Sequence, residues 1–358
     1  MKRTVAELAA LTSSRSPIQV IEAAERDRER WDTFVRTCPN ATFFHRFGWK
    51  PLIERVFGHR TYFLIAERGG TIEGVMPLVQ LKSLLFGHGL SSLPFGVYGG
   101  PAAVSQDAAG ALTDAAVRLA ENLGAGHLEL RNRVAHNPQW PRQDLYVTFR
   151  KEIFAGEEAN MLAIPRKQRA MVRKGIKAGL RSEIDAGIDR FFELYAGNVH
   201  RHGTPPFPKR YFAALKEEFG EDVEALIVVD AEGTPLSGVL SFYSRDEVLP
   251  YYAGDDPRAR EVAANDFKYW ELMRRACARG LRVFDYGRSK RGTGSFDFKK
   301  NWGFEPQTLQ YEYWLASGER IPQNNPSNPK YKALIAMWRR LPRPVANVLG
   351  PHLSRHLG

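Results

Sequence analysis

The chain of 358 residues reads twice over. In TYFLIAERGGTIEGVMPLVQLK (61–82) two apolar runs flank a glycine turn, and EALIVVDAEGTPLSGVLSFYS (224–244) repeats the pattern. Each passage has a Gly-Val step, Gly74–Val75 and Gly238–Val239, and each leads to a glycine-bearing strand end, VYGGP at Pro101 and YYAGDDP at Pro257. Helix-period stretches follow, ALTDAAVRLAENLGAG and DFKYWELMRRACARG, and then short strands, HLELR and RVFDYGR. The spacing from Pro101 to Glu129 is 28 residues, and that from Pro257 to Asp285 is also 28. Two copies of helix–strand–strand–strand–helix–strand predict a mixed α/β chain with two domains of one kind. The expected bounds are 17–155 and 156–318, with a strand over 149–153, GEEAN (156–160) as its turn, and a tail over 319–358.

Composition narrows the class. A hydrophobic share of 43% with 25% charged residues describes a globular chain that can bury two cores. No apolar run approaches the ~18 residues of a membrane span. MKRT is followed by an apolar stretch that Glu7 breaks early, a poor leader, so a cytoplasmic location is expected. Cys38 and Cys277 have neither a CxxC partner nor metal-ligand spacing, and no metal site is expected. The net charge of +11 is local. Residues 165–181 hold seven cations and no acid, and so do residues 320–358. Such placement points to anionic partners at two places, or to two solvated faces.

The first basic segment has Arg166, Arg169, Arg173 and Lys177 at helical steps of 3, 4 and 4, with Val172, Ile176 and Leu180 as the expected buried stripe. That row of cations fits a phosphate backbone. In the tail, IPQNNPSNPK is expected to be irregular. KYKALIAMWRRL has a helical stripe with Trp338, which either packs on the protein or rests on an anionic membrane, giving possible contact with the inner membrane. His200–Arg201–His202 is spaced poorly for a metal. GTGSFDFKKNWGFEP (292–306) sets Lys299 and Lys300 between a glycine turn and aromatic residues. Read as an extended segment, it turns one lysine inward and leaves Lys300 to solvent.

Several stretches resemble the FemABX family, whose members carry tandem GNAT acyltransferase domains and attach amino acids from aminoacyl-tRNA to peptidoglycan precursors. They are IPRKQRAMVRKGIKAGL (164–180) and the segment with Phe298–Lys299. FGVYGGP, YGRSKRGTGSFDFKKNWGFEPQ and NPKYKALIAMWRRLPRPVANVLGPH resemble more closely the FemAB-like subgroup associated with exosortase/PEP-CTERM systems. The resemblance covers about 17–318 and implies two GNAT-like domains. There are departures. No coiled-coil arm is present, Gly99–Gly100–Pro101 lacks the acidic residue the family places shortly after its Arg-Gly-Pro, and Ile53 stands where a phosphate-binding lysine can occur.

The resemblance implies an acyltransferase with no resident cofactor, in which the acyl donor is a co-substrate. Lys299 would stabilise negative charge beside the donor carbonyl, with Phe298 walling the channel. Asp285, on the strand of the second copy, would orient or deprotonate an amine, or would fix a loop through backbone N–H groups. Arg288 and Arg291 flank a glycine turn and suit phosphate. Tyr252, Tyr98 and Arg201 are further substrate-site candidates. Neither Asp256–Asn265 nor Ala102–Gln106 has the glycines of a pyrophosphate loop, which favours aminoacyl-tRNA over acyl-CoA and leaves an acyl carrier protein open as donor. The acceptor is expected to be envelope-related. A non-catalytic module that organises envelope assembly is the other class.

Overall fold

The computed structural model describes residues 16–83, 87–322 and 335–356. They form two compact units. One contains the described residues up to Gln143 together with Leu309–Pro322, and the other contains Asp144–Thr308 and the described part of the tail.

The first unit is built on strands β1 (Gln19–Glu22), β2 (Thr61–Arg68), β3 (Thr71–Ser83), β4 (Gly87–Ser92), β5 (Ala102–Ala103), β6 (His127–Asn132) and β7 (Arg142–Gln143). Helices α1 (Arg28–Thr37), α2 (Trp49–Phe57) and α3 (Gln106–Asn122) complete it. The β2–β3 hairpin, α3 and β6 fall where the first repeat predicts them. VYGGP is not a strand end, however. Gly99 and Gly100 N–H both donate to Arg131 O, at 3.1 and 3.2 Å, so the chain turns across β6 instead of pairing along it. Ile53 is fully buried in the core on α2.

The second unit has β8 (Tyr146–Glu152), helices α4 (Glu157–Ala163) and α5 (Arg166–Lys177), β9 (Arg181–Ile184), helices α6 (Asp189–His202) and α7 (Lys209–Phe219), then β10 (Val223–Val229), β11 (Pro235–Ser244) and β12 (Glu247–Asp255). Helix α8 (Ala264–Ala278), β13 (Val283–Lys290), α9 (Gly294–Asn301), β14 (Pro306–Thr308) and, in the tail, α10 (Arg343–Ser354) follow. Its sheet runs β14-β8-β13-β12-β11-β10-β9.

Two expectations about the boundary change. The strand placed at the end of the first domain, β8, pairs with β13 and β14 in the second sheet, because alternation sends Val147 and Phe149 into the second core. The strand β15 (Gln310–Leu315) returns to the first sheet and pairs with β6, Tyr311 opposite Arg131. GEEAN is not a turn, since Glu157 opens α4 and Asn160 is buried.

Helix α5 is helical as expected, but its buried contacts differ. Val172 and Gly175 are buried, whereas Ile176 is 50% exposed. The reason is close packing on α8: a Cβ at Gly175 would lie 2.8 Å from Phe267 Cβ. Gly175→Ala is therefore expected to destabilise the protein by about 1–2 kcal/mol, crowding outweighing the gain in helix propensity. A denaturant midpoint that stayed level or rose would refute this tight contact.

Candidate functional site

In both sheets the central parallel pair separates. In the first, β4 and β6 pair only over Gly89–Ser91 with His127–Glu129. The gap beyond is filled from within, where residues 91–103 are all buried and the Arg131 side chain donates to Pro94 O and, at 2.8 Å, to Gly96 O. In the second, β12 and β13 pair only at Glu247–Val283 and Val248–Phe284. Beyond these pairs a wedge opens whose β12 side stays accessible, Tyr251, Tyr252, Ala253 and Asp255 being half-buried.

Each wall of the wedge carries an irregularity. On β12 the register with β11 shifts so that Leu240 faces Tyr252 and Ser241 faces Pro250, leaving Tyr251 extra. On β13 the register with β8 jumps between Asp285 and Arg288. Gly287, inside this second bulge, has φ +63°, a conformation in which a side chain would be strained.

Asp285 and Lys299 hold this bulge between them. Asp285 is fully buried, and its Oδ1 accepts from Gly287 N–H at 2.7 Å and from Thr148 Oγ1 at 3.1 Å. Arg150 lies 3.9 Å from Asp285 and pairs with Glu247 at 2.7 Å. Lys299 Nζ donates to the carbonyls of Tyr286 at 2.7 Å, Gly287 at 3.2 Å and Arg288 at 3.3 Å. It also stands 5.8 Å from the ring centres of Phe149 and Tyr286. Burial pushes the Lys299 ammonium down to about 7, with the Asp285 carboxylate opposing the shift and Arg288 adding to it. The three carbonyls favour the charged form.

The lysine pair does not lie on an extended segment. Thr293 caps α9, accepting from Phe296 N–H at 3.4 Å, and the helix turns Lys299 inward while Lys300 is exposed. Phe298 is half-buried against Tyr269, 5.4 Å away, and Trp302, 6.0 Å away.

The remaining candidates divide. Tyr252 lies on the wedge with its hydroxyl 3.0 Å from that of Tyr211, and burial raises both phenols well above their ordinary range. Arg201 reaches the end of β12, donating to Asp255 O and to Asn198 Oδ1. Arg288 is half-buried with its guanidinium 4.7 Å from the Tyr146 ring centre. Arg291 is tied to Thr308 Oγ1 at 2.8 Å and Asp144 O at 3.4 Å, so it braces a loop. Tyr98 is 2% exposed in the core of the first unit, edge-on to Phe44. Arg166, Arg173 and Lys177 are exposed on α5, and Arg169 is half-buried beside them.

Sequence reasoning missed Lys268. It is wholly buried on α8, donates to Asp255 Oδ1 at 2.8 Å, and shares that carboxylate with Ser237 Oγ. It sits in DFKYWELMRR, where its spacing looks like an ordinary solvated position. Arg150 and Glu247 were missed too, because only the pairing of β8, β13 and β12 brings them to Asp285.

Residues 166–300 match the family described as acetyltransferase (GNAT) domain. That match gives the second unit an acyltransferase-type domain. Solved structures extend the likeness to both units. FemX is 16% identical over 82% of this chain and 97% of its own, with a TM-score of 0.65. The C-terminal domain of a putative lysylphosphatidylglycerol synthetase from Agrobacterium fabrum is 13% identical over 90% and 96%, with a TM-score of 0.57. A tandem GNAT protein from the clavulanic acid biosynthesis pathway is 13% identical over 85% and 99%, with a TM-score of 0.51. At these identities they show the fold, which is mixed α/β with two GNAT-like domains, here followed by a helical tail. No curated protein matches the chain.

Proposed function

We propose that this chain is a FemAB-type N-acyltransferase that moves an aminoacyl group from aminoacyl-tRNA to an amine, with an envelope- or exopolysaccharide-related acceptor of the kind the FemAB-like subgroup suggests. The amine attacks the donor carbonyl, the C–N bond forms as the ester C–O bond breaks, and the amine proton passes, directly or through solvent, to the leaving ribose oxygen. The wedge between β12 and β13 holds the reacting carbonyl. Lys299 supplies positive charge toward the oxyanion, through the donor now spent on its longest bond, to Arg288 O. Phe298, Tyr252, Arg288 and Arg201 line the approach.

The observation that carries the choice of donor is α5. Arg166, Lys167, Arg169, Arg173, Lys174 and Lys177 stand on one helix without an acid, and none makes an ion pair among the described residues. A row of unneutralised cations in the same unit as the wedge suits an anionic carrier.

Acyl-CoA fits less well. Its pyrophosphate would lie on the first turn of α8. Ala263 there takes φ +56° with a methyl group in place of a hydrogen. Asp266 places a carboxylate in the same turn, bonded to Trp302 Nε1 at 3.0 Å. Arg258 is held by Asp256 at 2.8 Å. An acidic acyl carrier protein would use the same α5 ridge and is the second reading.

Binding to aminoacyl-tRNA, uncharged tRNA and acylated carrier protein over a salt series tests this. Preference for charged tRNA is expected, with the log–log salt slope reduced by about 1.5–2 in Arg169→Ala/Arg173→Ala. Equal binding of charged and uncharged tRNA, or preference for the carrier protein, defeats the tRNA reading.

A further inference from the structure

The tail docks by one face and leaves another open. Residues 335–338 are helical, and Trp338 is 5% exposed, so this ring is part of the packing and not a surface anchor. The next turns are held to α6. His200 Nε2 lies 2.9 Å from Leu341 O, Arg339 donates to His202 O at 3.2 Å, and Arg343 donates to Glu193 O at 3.4 Å. On α10 the small residues Ala346, Gly350 and Ser354, one per turn, are buried. Gly350 backs so closely on Pro206 that a Cβ would lie 2.5 Å from its Cδ.

The opposite face of α10 is apolar over its first two turns, and exposed His352 continues it at the end of the helix. Val345 is 42% exposed, Val348 67% and Leu349 46%, at the spacing of one helical face, and Met337 is 56% exposed just before them. Ten large apolar side chains are exposed among the described residues, and these four fall within residues 337–349. Arg339, Arg340 and Arg343 are exposed near them, although Arg343 also lies 3.8 Å from a Glu193 carboxylate oxygen, and no acid occurs from 335 to 356.

We infer that this face rests on an anionic lipid surface. The two halves of the surface need different things from a partner. A nucleic acid would satisfy the arginines and leave the valines and leucine in water. A second copy would cover the apolar side chains but bring arginines against arginines across a two-fold axis. Anionic headgroups above acyl chains satisfy both at once. Small residues on the docked side let α10 lie flat against its own unit, so the apolar row faces outward as a ridge rather than closing on the protein.

The test uses the full chain, sedimented with phosphatidylcholine vesicles with and without phosphatidylglycerol. Binding that requires phosphatidylglycerol and weakens by about tenfold or more in Val348→Asp/Leu349→Asp is expected, since charge on the exposed apolar face opposes its insertion into lipid. Ile184→Asp, at an exposed apolar site on β9, serves as control and is expected to bind as the parent does. Matching unfolding midpoints show that the variants fold. The inference is overturned by four results: no vesicle binding, equal binding to neutral vesicles, anionic binding indifferent to Val348→Asp/Leu349→Asp, or a dimer in light scattering that those substitutions dissolve.

Discussion

Lys299→Met is expected to lower acyl transfer by about 10²–10³-fold and to cost about 2 kcal/mol of stability. Lys299 is 7% exposed, and methionine fills the space of its stem, so little cavity is left. What goes is the donor to two buried carbonyls, those of Tyr286 and Gly287, and to the partly buried one of Arg288. On the proposed function one substitution removes both an oxyanion-stabilising charge and a structural tie, so the two must be separated by pH.

They separate because the signs differ. Burial holds Lys299 at about 7 in the folded chain, against an ordinary 10.5. Between these values the unfolded chain binds the extra proton, so stability rises with pH, at a limiting slope of about 1.4 kcal/mol per pH unit. That contribution is complete above the ordinary value and is lost as pH falls through about 7. The transfer rate runs the other way. A cation that stabilises an oxyanion is lost as pH rises past about 7, giving the wild type a falling basic limb. Unfolding free energies and single-turnover rates from pH 6 to pH 9 would check both. Lys299→Met is expected to remove the stability slope and the basic limb together. A variant that lost rate only in step with stability, with the limb intact, would leave Lys299 a structural tie alone.

Much of the fold was legible because it is local. The hairpins β2–β3 and β10–β11, the helices α3 and α8, and the strands β6 and β13 each write their period into a short window. The return of β15 to β6 is not local. It pairs Tyr311 with Arg131 across 180 residues, and nothing in QYEYWL specifies that partner. Helix α9 was hidden by Gly292 and Gly294, which read as a turn. The signal that could have found it is Thr293 at the cap position with Asp297 in the first turn. The candidate residues stood out by type and not by arrangement. Lys299 and Asp285 stood out, but their shared grip on the bulge depends on a register shift between β13 and β8. In the tail the sequence singled out Trp338, whereas the exposed apolar row is made by Val345, Val348 and Leu349, which only the docking of α10 reveals.

Asp285→Ala is expected to cost about 3 kcal/mol, and Asp285→Asn about 1 kcal/mol, in chemical denaturation. The carboxylate is fully buried and is the acceptor for Gly287 N–H, so alanine leaves that group and the Thr148 hydroxyl without it. Arg150 keeps Glu247 at 2.7 Å, which limits the loss. Asparagine retains an oxygen at the same place, so the bulge persists. As a positioning residue Asp285 then tolerates asparagine with transfer reduced by about tenfold or less, where a general base would lose about 10²–10⁴-fold. Alanine is expected to lose transfer as fully as Lys299→Met does, because the carbonyls that orient Lys299 belong to the bulge that Asp285 holds. The two sites act on one piece of backbone from its N–H side and its C=O side, so their effects on stability cannot add. The double variant Asp285→Ala/Lys299→Met is expected to fall short of the sum by about 1 kcal/mol or more, and simple additivity would show that the two residues hold separate structures.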